Sequence, residues 1–233
     1  MSATVISIPS SAIAKAESIL AAGLKDAAGP VSLACSFSIE DVILIELIHR
    51  KKLQVGIFAI DTGRLHEETY ETAEAIAQRY GVRIDWYFPD RRAVEALERE
   101  KGLFSFRESL ENRHECCQIR KVEPLTRALG SLSGWVVGLR RAQSVTRQDL
   151  QPIAADPLNG GMVKICPLLD WSDEEVWACA EAWRLPVNRL HRQGYPSIGC
   201  APCTRAVEPG EHPRAGRWWW EDPEHKECGL HRR

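Results

Sequence analysis

No apolar stretch in the chain approaches the ~18 residues a membrane-spanning helix needs, so no transmembrane helix is expected. The first residues, Met1 to Ser11, carry neither a basic region nor a long apolar run, and no secretory signal is expected. Internal repeats and low-complexity tracts are absent, so repeat architectures are not expected. Neither sign of charge dominates. Thirty Lys and Arg against 32 Asp and Glu leave a net charge of -2, which does not suggest a general nucleic-acid binder. Any anion binding has to come from a local basic cluster. What remains is 233 residues, 44% hydrophobic and 27% charged, the composition of an ordinary soluble protein with one full core and room for a small appendage.

Cysteine, by contrast, is plentiful. Eight cysteines without a secretory signal point to a reducing cytoplasm, where metal or catalytic roles outrank structural disulfides. Cys35, Cys166 and Cys179 sit among apolar neighbours and read as small buried hydrophobes. Four others form two close pairs, Cys116-Cys117 and Cys200/Cys203 in Gly199-Cys200-Ala201-Pro202-Cys203. Adjacent cysteines are badly placed to bridge one another, because a relaxed disulfide has narrow torsional demands. Two close pairs far apart in sequence suit four thiolates around one metal centre, either zinc or an iron–sulfur cluster. Zinc sites usually space paired ligands by two to four residues, which the Cys116-Cys117 pair does not. Lys121, four residues after Cys117, rises on the same face if the segment is helical. The alternative is an ordinary exposed lysine. Cys228, near the C-terminus, has Lys226, His231, Arg232 and Arg233 nearby, cations that lower a thiol pKa and favour a reactive thiolate. A free tail thiol without a role is the plainer alternative.

The organisation is that of an α/β protein. Ile13, Ala16, Leu20, Leu24 and Ala27 recur at helical spacing and predict an opening amphipathic helix, ended by Gly29-Pro30. Val31 to Cys35 reads as a buried strand, Glu40 to Arg50 as a helix, and Gln54 to Ile60 as a second strand. His66 to Tyr80 reads as a helix closed by Gly81, Val82 to Tyr87 as a third strand, and the region around Arg91 to Lys101 as another helix. Trp135-Val136-Val137 reads as a fourth strand. This alternation predicts a doubly wound, mainly parallel sheet covered on both faces. Beyond Gln148 the pattern weakens. Gln151 to Ala155 and Met162 to Ile165 flank Asn159-Gly160-Gly161 like a hairpin. Ser172 with Glu175 is a capping box opening a helix over Asp173 to Trp183. From residue 186 the chain is rich in Pro, Gly, His and Arg. It reads as a loop-rich tail (186–233) packed onto a nucleotide-binding α/β domain (1–185), not as an independent fold.

Three turns at strand ends could hold an anion, since ligands of open α/β sheets sit beyond the carboxyl ends of the strands. Ser36-Phe37-Ser38-Ile39-Glu40-Asp41 follows the first strand and would aim backbone N–H groups and a helix N-terminus at a phosphate. An ordinary N-cap at Ser38 is the other reading. Asp61-Thr62-Gly63-Arg64 follows the second strand and could equally be a plain strand-to-helix turn. Gly138 to Arg147 follows the fourth, and its Arg140, Arg141 and Arg147 offer guanidinium forks matched to phosphate or sulfate oxygens. In the tail, Arg205, His212, Arg214 and Arg217 precede Trp218-Trp219-Trp220. The arginines could clamp an anionic nucleotide, and the tryptophans could as well be core. Glu67, Glu68, Glu71, Glu174 and Glu175 read as solvated helix faces and not as an acid/base pair.

Taken in order, these segments resemble the assimilatory adenylyl-sulfate (APS) reductases of the phosphoadenylyl-sulfate (PAPS) reductase family, from about Ser32 to His231. The resemblance implies an adenine-nucleotide α-hydrolase-like fold. It also implies thioredoxin-dependent reduction of APS to sulfite and AMP, in sulfate assimilation and cysteine biosynthesis. By resemblance, Cys116, Cys117, Cys200 and Cys203 hold a [4Fe-4S] cluster, Cys228 is the nucleophile, and the Ser36 to Asp41 turn, with Ser38 its cap, receives the nucleotide phosphate. Asp61, Thr62 and Gly63 join the substrate site. Arg140, Arg141, Arg214, Arg217 and His231 line the phosphosulfate site, with Lys121 assisting. The implied partners are APS and a thioredoxin or glutaredoxin-like dithiol protein, with no nucleic acid and no membrane, and the implied location is cytoplasmic. The chain could also form a homo-oligomer. Paired cluster cysteines accompany use of APS, while some relatives accept PAPS as well. Where the family's phosphate loop often has Gly and Ala, this chain has Ser38 and Ile39. An ATP-dependent adenylylating enzyme on the same scaffold is the competing enzyme reading, but Ser36-Phe37-Ser38-Ile39 lacks the glycines of a Ser-Gly-Gly pyrophosphate turn. A nucleotide-binding redox sensor would give no reason for a reactive Cys228 beside His231.

Overall fold

The apolar runs form strands and the stretches between them form helices, over the described residues 9–143 and 147–222 of the computed structural model. Helix α1 (Ser10–Ala27) leads into β1 (Val31–Cys35), α2 (Ile39–Arg50), β2 (Gly56–Ile60), α3 (Glu67–Tyr80), β3 (Asp85–Tyr87) and α4 (Arg91–Lys101). Next come α5 (Leu110–Cys117), a π-helical segment Gln118–Val122 and α6 (Glu123–Leu129). Strand β4 (Gly134–Val136), the hairpin β5 (Ile153–Asp156) and β6 (Met162–Ile165), and helix α7 (Asp173–Ala182) follow.

The six strands make one sheet in the order β3-β2-β1-β4-β6-β5. The pairs β1–β4, β4–β6 and β2–β3 are parallel, and β5–β6 is antiparallel. The mainly parallel expectation therefore holds, with one addition. The hairpin enters the sheet through β6, where Trp135 faces Lys164 and Val136 faces Ile165 in parallel register.

The chain forms two compact units that interleave along the sequence. The first runs through Ile57 and adds Glu71–Arg83 and Leu132–Asn188; the second takes Phe58–Tyr70, Ile84–Ser131 and the chain from Arg189 onward. In the first unit, α2 is buried at every position from Ile39 to Ile48. A parallel strand hides both faces, and a helix packed on it is apolar around most of its girth. Val42, Ile43, Leu44, Ile45 and Leu47 are almost wholly buried, and each stabilises the unit by roughly 1.5–3 kcal/mol. Helix α2 packs on β1 and α7, and α1 packs on β6. Gly23 makes the second contact possible, since a Cβ there would lie 2.7 Å from the Ile165 side chain. Cys35, Cys166 and Cys179 are buried free thiols in this interior, as their apolar neighbours implied. Polar groups buried with them are paired. Tyr80 donates to Glu46 at 2.6 Å, and the Trp135 indole to Asp156 at 3.1 Å. Ser172 and Glu175 form the expected capping box.

The second unit has its own core of Leu97, Phe106, Cys116, Cys200, Cys203 and Trp218. Three of these six positions are cysteines, so its packing depends on the cysteine segments. No described helix is long and apolar enough to cross a membrane.

Candidate active site

Arg113, Cys116, Cys117 and Arg120 are spaced three, four and seven residues apart along α5 and the π segment, which places them on one stripe. Ser109 starts that helix, its hydroxyl accepting the Asn112 N–H at 3.2 Å. The π segment begins directly after the second cysteine. Such wide turns shift the side chains that follow and recur at functional sites. Facing the stripe, Cys200 and Cys203 bracket a tight turn whose Ala201 N–H is bonded to the Arg64 carbonyl at 2.8 Å. All four cysteines, with Arg64, Arg113, Arg120, Lys121, Phe106 and Trp218, line one cavity of the second unit. All four are buried free thiols.

The Asp61–Arg64 turn holds this cavity in shape. Asp61 accepts the Gly63 N–H at 2.7 Å and the Tyr70 hydroxyl at 2.9 Å. Burial and the Asp61 carboxylate push Tyr70 up to about 12, so its proton stays on. Gly63 adopts φ +70°, which a side chain would resist. The Thr62 hydroxyl lies 3.3 Å from the Cys200 sulfur, and the Thr62 carbonyl accepts from Arg120 at 2.8 Å. Glu98 on α4 then ties Arg64 and Arg120 together, at 2.5 and 2.6 Å.

Trp218 forms another wall. Arg113 and Arg217 lie over its ring at 4.7 and 4.6 Å. Arg113 is completely buried and makes a two-pronged pair with Glu221 at 2.9 and 2.8 Å. Trp218 itself has φ +40°, a strained backbone for a bulky residue and one typical of functional segments. Arg217 donates to Ser197 and to the Ile198 carbonyl and lies flat on Gly199, where a Cβ would come within 2.4 Å of its guanidinium. The Nε atoms of Arg120 and Arg217 are buried without a hydrogen-bond partner among the described residues.

The cations act on the thiols. Burial opposes ionisation of Cys200, yet Lys121, the Thr62 hydroxyl and Arg217 outweigh it and lower its pKa below the ordinary thiol value. Burial pushes Cys203 up to about 12, and charge on Cys200, Cys117 and Cys116 pushes the same way. Cys116 is raised by burial, against the pull of Arg120, Arg64 and Lys121. Four soft donors within electrostatic reach of one another, ringed by positive charge, could hold a metal centre whose complex is net negative.

The first unit holds the other candidates. Ser38 caps α2 in extended conformation, and Phe37 before it has φ +62°. The Ser36 N–H and hydroxyl both donate to one oxygen of Asp41, at 2.6 and 2.8 Å. Burial raises Asp41 to about 6; its bonds to Ser36 and Ser38 hold it down and Glu40 adds to the rise. Arg140 is buried and paired with Glu40 at 2.8 Å and Asp173 at 2.5 Å, and Arg141 pairs with Asp170. Reaching a substrate anion would require each arginine to leave its carboxylate. Within the second unit, the structure brings Lys121, Thr62 and Arg217 to the four cysteines. Asp61 and Gly63 support from behind. Arg214 is half-buried, its N–H bonded to His212. Cys228 and His231 lie outside the described residues, as do Ser144, Val145 and Thr146 of the Arg140 to Arg147 loop. The sequence left Glu98 and Arg113 without a role. Arg113 was legible from its spacing to Cys116 and Arg120; Glu98 carried no signal, since its arginine partners are 22 and 34 residues away.

A mainly parallel open α/β sheet and a cation-ringed set of four thiols define an α/β protein with a cysteine centre added. Comparison with known proteins sharpens this. Residues 30–206 match the model of the phosphoadenosine phosphosulfate reductase domain. The chain is 53% identical to the adenosine 5'-phosphosulfate reductase of Allochromatium vinosum, over 87% of this chain and 79% of that one. It is 50% identical to the Burkholderia cepacia protein of the same name, over 86% and 80%. Among solved structures, the PAPS reductase of Candida auris superposes with a TM-score of 0.68 at 25% identity, covering 83% of this chain and 90% of that one. The FMN adenylyltransferase of Candida glabrata shares the fold alone, at 17% identity and a TM-score of 0.61, covering 97% and 80%. The chain belongs to the phosphoadenosine phosphosulfate reductase family.

Proposed function

We propose that this chain reduces adenosine 5'-phosphosulfate to sulfite and AMP in sulfate assimilation, with a dithiol protein of the thioredoxin type as reductant. The observation that carries this is the set of four buried thiols ringed by cations in a chain whose relatives bear the APS reductase name.

Cys116, Cys117, Cys200 and Cys203 would hold a [4Fe-4S] cluster. The four thiols line one cavity, and the adjacent Cys116-Cys117 pair lacks the usual spacing of paired zinc ligands, which supports the cluster over zinc. When bound, the cluster supplies a fixed charge centre that the surrounding cations balance.

The chain's own residues do the rest. A Cys228 thiolate attacks the sulfur of the sulfate group, the sulfur–oxygen bond to AMP breaks, and a Cys228 S-sulfonate forms. A thiolate of the dithiol protein then attacks the Cys228 sulfur and sulfite leaves with the electron pair. The second thiol of that protein closes its own disulfide and returns Cys228 to the thiol, so two electrons come from the dithiol. Attacking thiolate and substrate are both anionic. Lys121 and Arg217, which both act on Cys200, reduce that repulsion. His231, three residues after Cys228 in sequence, would assist.

The direct test is sulfite release from APS and from PAPS by anaerobically purified protein with reduced thioredoxin. APS should be turned over and PAPS should be the poorer substrate. No sulfite from either, or S-sulfonate formation by a Cys228→Ser protein, would contradict the proposal.

A further inference from the structure

The donors suited to a phosphate at the end of β1 are already in use. One Asp41 oxygen accepts both the Ser36 N–H (2.6 Å) and the Ser36 hydroxyl (2.8 Å), and Ser38 adds a side-chain bond to the same carboxylate. Asp41 is 3% exposed, so water does not share the load. The fit is built from two sides. Phe37 takes a left-handed conformation to present Ser36 and Ser38 together. Gly138, beyond β4, leaves room, since a Cβ there would lie 2.5 Å from the other Asp41 oxygen. The carboxylate thus sits where an anion bound by this turn would sit.

We propose that Asp41 is an internal stand-in for the substrate's anionic group, displaced from Ser36 when the nucleotide binds, with one proton taken up from solvent onto Asp41 in the process. This rests on the reading that the Ser36–Ser38 turn receives the nucleotide. Two anions cannot share one set of donors in a buried site without strong repulsion. Binding therefore favours the protonated carboxyl, which needs fewer donors and can itself donate to the incoming oxygen. Asp41 is a positioning residue: it keeps the turn in its binding shape while the site is empty and keeps the wrong moment of charge out of it.

The groups facing Asp41 favour the exchange. Glu40, its neighbour on α2, adds negative charge, and that charge is held by Arg140 and by Gln143. Cys35, at the end of β1, has its thiol raised by burial and then by Asp41, so it stays protonated and is no competing acid near neutrality. Ser36 and Ser38 do not titrate, and Gly138, beyond β4, is uncharged. The burial that raises Asp41 to about 6 keeps the protonated form within reach.

The test measures APS binding by calorimetry to the Cys228→Ser protein, without reductant, from about pH 6.5 to about pH 8.5 in buffers of different ionisation heat. APS has no group that titrates near neutrality, so the protein alone supplies any pH dependence. The expected result is uptake of about one proton per APS, and affinity that falls about tenfold per pH unit above pH 7. Asp41→Asn in the same background should abolish both the uptake and the slope. Binding of APS without proton uptake, or with equal uptake and slope in Asp41→Asn, overturns the inference while leaving the nucleotide reading intact. No APS binding at all overturns both. Should Asp41→Asn fail to fold, proton uptake by the parent protein still decides the matter.

Discussion

The two units treat positive charge in opposite ways. In the first, buried Arg140 pairs with Glu40 and Asp173, and partly buried Arg141 pairs with Asp170. In the second, Glu98 serves both Arg64 and Arg120, while Lys121 and Arg217 bear on a thiol and two guanidinium Nε atoms are left without partners. Buried charges are tolerated when compensated, and uncompensated ones mark a place where something else completes the balance. In the first unit, Arg140 and Arg141 each face a carboxylate. In the second, the Nε atoms of Arg120 and Arg217 are buried without a hydrogen-bond partner among the described residues, an arrangement that a net-negative cofactor would suit.

That contrast can be broken most severely at the ligands. Cys203→Ser should abolish iron binding and reduce sulfite formation to background, while Cys166→Ser in the first unit should leave both near the parent level; iron analysis and turnover read the two. Next in size are the buried pairs. Arg140→Met strands Glu40 and Arg113→Met strands Glu221, and each should cost about 3–5 kcal/mol, measured by denaturant unfolding. Equal losses would show that both units need their internal pairs, whereas only Arg113→Met should also lower iron content. Smaller effects belong to the glycines. Gly138→Ala pushes on Asp41 and should weaken APS binding by about tenfold without touching iron, and Gly199→Ala displaces Arg217 and should lower kcat/KM by a similar factor, each corresponding to about 1–3 kcal/mol of misfit. Smallest is Trp135→Phe, which removes the indole bond to Asp156 and should cost about 1 kcal/mol in thermal unfolding with no change in chemistry.

Legibility in the sequence followed the same division. The strands and α2 of the first unit were readable because parallel strands and the helix packed on them are continuous apolar runs. The cysteine pairs were readable by their spacing alone. The π segment after Cys117 was not, because Gln118 to Val122 has no composition distinct from an α-helix and the wide turn follows from what its side chains meet. Nor was the sheet position of β6, which rests on pairing with β4 across a separation of 29 residues. Arg140 looked like a ligand donor because it stands at a strand end; its carboxylate partners, 100 and 33 residues away, are invisible to local pattern. The Ser36 to Asp41 turn was legible as a strand-end turn, but not that Asp41 accepts the Ser36 donors.

Metal and sulfide content of the anaerobically purified chain bears most directly on the charge contrast between the units. About four irons and four inorganic sulfides per chain, with a broad visible absorbance lost in Cys203→Ser, is the result this account predicts. One zinc per chain, or protein that folds fully and turns over APS with neither metal, would contradict it.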